Sequence, residues 1–214
     1  TGNLVLNNNS TTAAGITLQT AAVNNTGTVT NSGTGTGGST ISAVIGTNVT
    51  GVVQNSATSA LTLSGANTYG GDTTITAGTL KLGAANVIPD GVGKGNVNVA
   101  GTLDLNGFSE TINGLSGAGT VDTVAGGTPT LTVGNNDATS TFSGIIQNTA
   151  GTLALTKTGA GVLTLSGANT YDGATTINVG TLTASNNSAL GTTVGGTTVA
   201  SGATLEIANG IAIG

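Results

Sequence analysis

Eight acids and three lysines are the only charged side chains among 214 residues. Histidine, cysteine and arginine are absent. Ser-His-Asp and Cys-His catalysis and the common zinc sites are therefore excluded. What remains is carboxylate chemistry, of which the most demanding form is a pair of acids flanking a glycosidic bond. Asp104 and Glu206 are far apart in the chain, each between apolar neighbours, Leu103/Leu105 and Leu205/Ile207. Alternation then turns both acids outward. Asp72, Asp90, Asp122, Asp137 and Asp172 fall in apparent turns, and Glu110 falls near one. All are expected to be solvated, with no two acids at glycosidase spacing. With no arginine to hold a sugar acid, the chain reads as no enzyme, with no cofactor and no metal.

Other motifs of this kind are weaker. Gly33-x-Gly35-x-x-Gly38 matches a dinucleotide fingerprint in letters, but no helix pattern follows it and 38 glycines make chance matches common. Gly93-Lys94-Gly95 lacks the hydroxyl residue and the earlier glycine of a phosphate loop. The calcium-binding GGxGxDxUx nonapeptide does not occur. Thr28-Val29-Thr30, Thr74-Ile75-Thr76 and Thr130-Leu131-Thr132 do not recur at a constant spacing and read as outward strand threonines.

The elements that carry these residues announce themselves by repetition. LTLSGANTY occurs at Leu61–Tyr69 and again, unchanged, at Leu163–Tyr171. Thr40–Ile45 answers Thr141–Ile146, the Leu103 segment answers Leu205, and the N-terminal Leu4-Val5-Leu6 aligns with Leu103-Asp104-Leu105. The superrepeat units are roughly 1–100, 101–201 and the start of a third at 202–214, one continuous array across 1–214 and an expected piece of a longer chain.

Composition narrows the class. Thr, Gly and Asn together make about half the chain, 36% is apolar, 5% charged and 2% aromatic. This is too hydrophobic and too weakly charged for ordinary disorder. A net charge of −5 without basic clusters argues against nucleic acid and against a polybasic membrane anchor. No apolar run is long enough for a transmembrane helix. Absent cysteine is compatible with export, since an unfolded chain crossing membranes cannot then cross-link early.

Strand signals are continuous and helix signals are lacking. Leu61-Thr62-Leu63, Leu80-Lys81-Leu82, Val97-Asn98-Val99, Leu131-Thr132-Val133 and Leu153-Ala154-Leu155 alternate apolar with polar or small residues, and Gly, Asn, Ser and Asp separate such runs. Asn106-Gly107, Asn113-Gly114 and Asn209-Gly210 are turn pairs. Strands this short, with no tryptophan to fill an inter-sheet gap, do not make an immunoglobulin-like sandwich. A solenoid needs only a thin aliphatic core. Rungs of roughly 20 residues would give about ten in the chain and a rod of about 50 Å. Asn24–Ser39 reads as an irregular rung or a protruding loop, and Asn86–Gly95 as a loop leaving the rungs.

The motif residues are Leu61, Leu63, Gly65, Asn67, Thr68, Tyr69, Gly71, Thr73, Ile75, Gly78 and Leu80, then Leu163, Leu165, Gly167, Asn169, Thr170, Tyr171, Gly173, Thr175, Ile177, Gly180 and Leu182. This pattern resembles the autotransporter-associated β-strand repeat of type V secreted passenger regions. The resemblance implies a right-handed parallel β-helix displayed outside the bacterial cell, and a role in passenger folding and secretion rather than in catalysis. Read physically, Leu61/Leu63 and Leu80/Leu82 point inward. Gly65, Gly71 and Gly78 sit at bends or close approaches. Asn67 bonds its own backbone at a corner, and Tyr69 is partly buried with its hydroxyl paired.

The function expected is that of a structural stalk of an exported surface protein supporting adhesion. The alternative is a subunit that stacks end to end into an extracellular filament, with a second copy or the rest of its own chain as partner. A glycan or matrix ligand would want an aromatic platform, which the sequence does not display.

Overall fold

A computed structural model describes residues 2–208 and 210–213. Asn209 of the expected Asn209-Gly210 turn, together with Thr1 and Gly214, lies outside the described residues. Every strand pairing among the described residues is parallel, and ladder partners come from successive passes of the chain: Leu4 faces Val29, Thr28 faces Gly51, Thr73 faces Val97 and Leu103 faces Val121. One step along a ladder is therefore one turn of a solenoid. The turns number about nine, with no helix among the described residues. The expected ten rungs of even length become nine of uneven length, because several corners carry extra residues.

The solenoid has three sides. The first begins as Leu4–Asn7, Thr28–Ser32, Gly51–Asn55, Thr73–Ala77, Val97–Val99 and Leu115–Ser116. It continues through the parallel bridge Gly117↔Phe142 into Ser140–Phe142, Val162–Leu165, Thr181–Ala184 and Thr204–Ile207. The second side is a seven-stranded sheet from Ile16–Leu18 to Ile145–Ile146. The third is a sheet only in the C-terminal half, from Glu110–Ile112 to Thr197–Val199. In the N-terminal half it holds just the bridge Val23↔Ile45 and corner segments.

Alternation places the core. Leu61, Leu63, Leu80, Leu82, Leu103, Val121 and Ile146 stack up the second side and are buried. Each contributes the burial of one aliphatic side chain, about 1.5–3 kcal/mol. The outward positions form ladders of small polar groups, such as Thr111, Thr132, Thr156, Thr176 and Thr198 on consecutive strands. This row has no constant spacing in sequence because the turns differ in length while the strands stay in register.

Two expectations change here. Asn24–Ser39 contains the five-residue strand Thr28–Ser32, with Val29 and Asn31 fully buried, so it is an ordinary rung with a polar inner face. Asn86–Gly95 leaves the rungs only at its tip: Val87 and Ile88 are buried, while Val92 is 93% exposed.

The superrepeat does not contain a whole number of turns. From Leu61–Leu63 on the second side, the chain climbs through Thr79–Leu82, Thr102–Asp104 and Thr120–Asp122 to Ile145–Ile146. It then passes the third side at Ala154–Lys157 and reaches Val162–Leu165 on the first. The second motif is therefore rotated by one side of the solenoid relative to the first.

Candidate functional site

The repeated motif builds a corner on the side of the solenoid that has no strand at that level. A missing strand leaves backbone N–H and C=O groups without ladder partners, which is costly when they are buried. Asn67 fills that gap. Its Oδ1 accepts from Ile45 N at 2.8 Å in the turn below, and its Nδ2 donates to Val87 O at 2.8 Å in the turn above. Asn169 repeats the arrangement, accepting from Ile146 N at 2.8 Å and donating to Ala189 O at 2.7 Å. The side-chain amide thus stands in for a peptide group and ties three successive turns. The expected local bond of Asn67 to its own backbone is replaced by this bridge between turns, because the amide points along the rod axis.

Tyr69 and Tyr171 are fully buried rather than partly so. Each phenol shares a 2.6 Å hydrogen bond with the threonine four residues on, Thr73 or Thr175. Burial raises both phenol pKa values, that of Tyr171 to about 12. Neither ring is presented to a ligand. Gly78 and Gly180 adopt φ of +66° and +72°, where a β-carbon is strained. Gly65 and Gly71 do not have positive φ; they admit the carbonyls of Ala43 and Thr50, which a β-carbon would meet. Thr68 and Thr170 are exposed, each with its backbone N–H donated to the turn below, at Ile45 O and Ile146 O.

Sequence reasoning passed over the residues that brace the entry to each motif. Gln54 and Lys157 are inward-facing and fully buried. Gln54 Nε2 donates to Ser56 O at 2.8 Å and Ser59 O at 2.9 Å, and its Oε1 accepts from Asn31. Lys157 Nζ donates to the carbonyls of Thr158, Gly159 and Val179 at 2.6, 2.8 and 3.3 Å. Both close a tight turn from inside. Burial lowers the Lys157 pKa, and the charge of Asp137 opposes that shift. The available signal was a polar residue at an inward strand position shortly before each LTLSGANTY.

Three of the acids are placed differently from expectation. Asp104, Glu110 and Asp122 are buried, whereas Glu206, Asp72 and Asp137 are exposed. Asp104 and Asp122 are ladder partners on adjacent turns, so two carboxylates do meet. Three of their four oxygens accept hydrogen bonds from the fold. Asp104 Oδ1 accepts from Asn106 N at 2.8 Å and Val124 N at 3.1 Å. Asp122 accepts from Thr123 N, Thr149 N, Gln147 Nε2 and Thr149 Oγ1 at 2.6–2.8 Å. Burial works against the Asp122 charge, but these bonds from Thr149, Gln147 and Thr123 hold its pKa below the ordinary value. Glu110 accepts from Val87 N at 3.0 Å and Ile88 N at 3.3 Å, directly above the Asn67 corner. Its burial outweighs these bonds and lifts its pKa to about 8, with Asp90 adding to the rise. These carboxylates act as corner braces.

Comparison with known proteins agrees with this corner. The family model described as passenger-associated-transport-repeat matches residues 58–82 and 155–184, which hold both copies of the motif. The chain carries two copies of this passenger-associated-transport repeat. It is also 34% identical over 189 residues to the adhesin BmaC autotransporter of Brucella suis biovar 1 (strain 1330). That alignment covers 84% of this chain and 5% of the relative, so the chain spans a small fraction of the protein it matches. No solved structure matches it.

Proposed function

We propose that this chain is a structural segment of an exported passenger, a stiff solenoid that holds an adhesive surface away from the bacterial cell. The observation that carries this is the fate of the motif's polar groups. Asn67, Tyr69 and Thr73, and their counterparts Asn169, Tyr171 and Thr175, spend their hydrogen bonds within the corner and on neighbouring turns. A side chain so engaged and so buried holds a rod together and has nothing left for a substrate. The relative's name, an adhesin, supports attachment as the purpose of the rod.

The test is display of the chain on a non-adherent bacterium through a heterologous outer-membrane barrel. An antibody-accessible, protease-resistant passenger that raises attachment to host cells or to matrix-coated plastic is the expected result. A passenger that reaches the surface without raising attachment refutes the adhesive part. One that fails to fold at the surface refutes the structural part. Negative-stain images of the purified chain separate discrete rods from end-to-end filaments, the alternative assembly.

A further inference from the structure

At the corner between the third and first sides, four successive turns leave a recess of about 560 Å³. Its origin is a difference in turn length. Val97 and Leu115 are ladder partners, so the turn between them is short. The turn before it, from Thr73 to Val97, is longer, and so is the turn after it, closed by the bridge Gly117↔Phe142. The short turn crosses the corner with Asn113-Gly114 alone, while segments 86–95 and 134–139 swing wider on either side. Those two segments are fastened to each other. Asn135 Nδ2 donates to Asp90 Oδ2 at 3.1 Å, and Asn136 Nδ2 donates to Gly91 O at 2.7 Å. These bonds tie the two wider turns together beside the recess.

The lining offers unspent hydrogen-bonding groups on successive turns. The Asp72 side chain makes no hydrogen bond among the described residues and is exposed. Asn96 Oδ1 is occupied by Asn113 Nδ2 and Gly114 N, both at 3.1 Å, so its NH₂ is left to donate outward. Ser140 Oγ accepts from Leu115 N at 3.2 Å and retains its own proton for donation. Thr141 stands beside it with its hydroxyl unengaged. No cation, aromatic ring or large aliphatic side chain is part of the lining.

We infer that this recess binds a short neutral glycan lying along the rod axis, held by hydrogen bonds in place of the aromatic platform that the chain lacks. The adhesive reading above supplies its purpose. Turns repeat at about 4.8 Å, so the distance from Asp72 to Thr141, three turns, is roughly 14 Å and suits about three sugar residues. The acceptor at Asp72 and the donors at Asn96, Ser140 and Thr141 match the hydroxyls of a sugar, and direct bonds can replace the water each hydroxyl loses. An acidic sugar would meet the Asp72 carboxylate with nothing to balance it. A lipid would find no apolar wall. A basic peptide would satisfy Asp72 and leave the amide and hydroxyls unused.

The experiment is titration of the ¹⁵N-labelled chain with maltotriose, cellotriose, chitotriose, sialyllactose and tetralysine, followed by amide spectra. At least one neutral trisaccharide is expected to shift the Asn96 and Asn113 side-chain amides and the backbone amides of 114–116 and 138–141, saturably. Asp72→Ala and Thr141→Val should each weaken that binding by roughly tenfold, the loss of one good hydrogen bond. Thr62→Val, on the second side, should leave it unchanged. Neither test residue makes a side-chain hydrogen bond among the described residues, and unchanged circular dichroism verifies that the variants fold. The inference is overturned if no neutral trisaccharide moves these resonances, or if sialyllactose or tetralysine moves them as strongly. Trisaccharide binding by a chain that does not raise cell attachment would leave the site standing and remove the adhesive reading.

Discussion

The two motif corners share LTLSGANTY and differ in what surrounds it. In the first, Asn67 lies on the third side, Gln54 closes the preceding turn, and Glu110 sits above on the N–H groups of Val87 and Ile88. In the second, Asn169 lies on the second side and Lys157 closes the turn. There Ala189 N instead donates locally to Asn186 O, with no acid accepting from it among the described residues. Identical residues thus hold identical bonds to the turns below and above, while the corner's charge is set by neighbours outside the motif. The motif is a self-contained fastener. That explains how it can be rotated by one side of the solenoid between copies and still close.

The largest effects should be shared by both corners. Tyr69→Ala and Tyr171→Ala each empty a ring-sized volume from a core that has few other large residues, a change that costs about 3–5 kcal/mol. Equal losses in the two variants, measured as denaturation midpoints, support a self-contained fastener. A much smaller loss at Tyr171 would mean that the surrounding turns, and not the motif, bear the load.

Next come the inter-turn bridges. Asn67→Ala leaves Ile45 N and Val87 O without partners, and Asn169→Ala does the same to Ile146 N and Ala189 O. Each unsatisfied group costs about 1–3 kcal/mol. Hydrogen exchange should accelerate at Ile45 in one variant and at Ile146 in the other, with the distant corner unaffected, since turns of a solenoid contact only their neighbours. Asn67→Asp is a sharper probe. It keeps the acceptor for Ile45 N but sets an oxygen against Val87 O, so it should be no better than alanine.

The architecture was legible in the sequence wherever alternation alone decides. Leu61, Leu63, Leu80 and Leu82 are apolar at period two, and nothing competes with burying them. The roles of Asn67, Asp104 and Glu110 were not legible. A polar residue in a turn can bond locally, face water, or reach the next turn, and only the stacking of turns selects the third. Uneven turn length also hid the ladders. Asp104 meets Asp122 across a short turn, while Thr120 meets Ile145 across a much longer one, so no constant spacing reveals who stands beside whom. For the same reason the recess at Asn113-Gly114 has no signature in the sequence: it exists because one turn is shorter than its neighbours.

The corners should also part company with pH. The folded Glu110 pKa, near 8, lies above its ordinary value of 4.5, so the folded state holds the proton longer than the unfolded state does. Stability from this group is complete below pH 4.5 and falls as pH rises toward 8. Lys157 is shifted the other way, its folded pKa lying below 10.5. The folded state releases that proton first, and stability rises with pH through the alkaline range up to 10.5. Glu110→Gln should flatten the loss between pH 4.5 and 8, and Lys157→Met should remove the alkaline gain. Denaturation midpoints across pH for both variants check this, and an unchanged slope in Glu110→Gln would mean the acid is ionised in the fold.

The smallest expected difference isolates the phenol. Tyr69→Phe and Tyr171→Phe remove one hydroxyl each and leave Thr73 or Thr175 to find another partner. Thr175 has one within reach, because its Oγ1 already lies 3.4 Å from Leu190 O as a donor. Thr73 has no second side-chain hydrogen bond among the described residues. Both variants should lose about 1 kcal/mol, the net worth of a typical hydrogen bond, with the larger share at Tyr69. Thermal midpoints of the two single variants and of the double variant measure this. An equal loss at the two sites would show that the Leu190 carbonyl gives Thr175 no relief and that the fastener is indifferent even to its nearest neighbours.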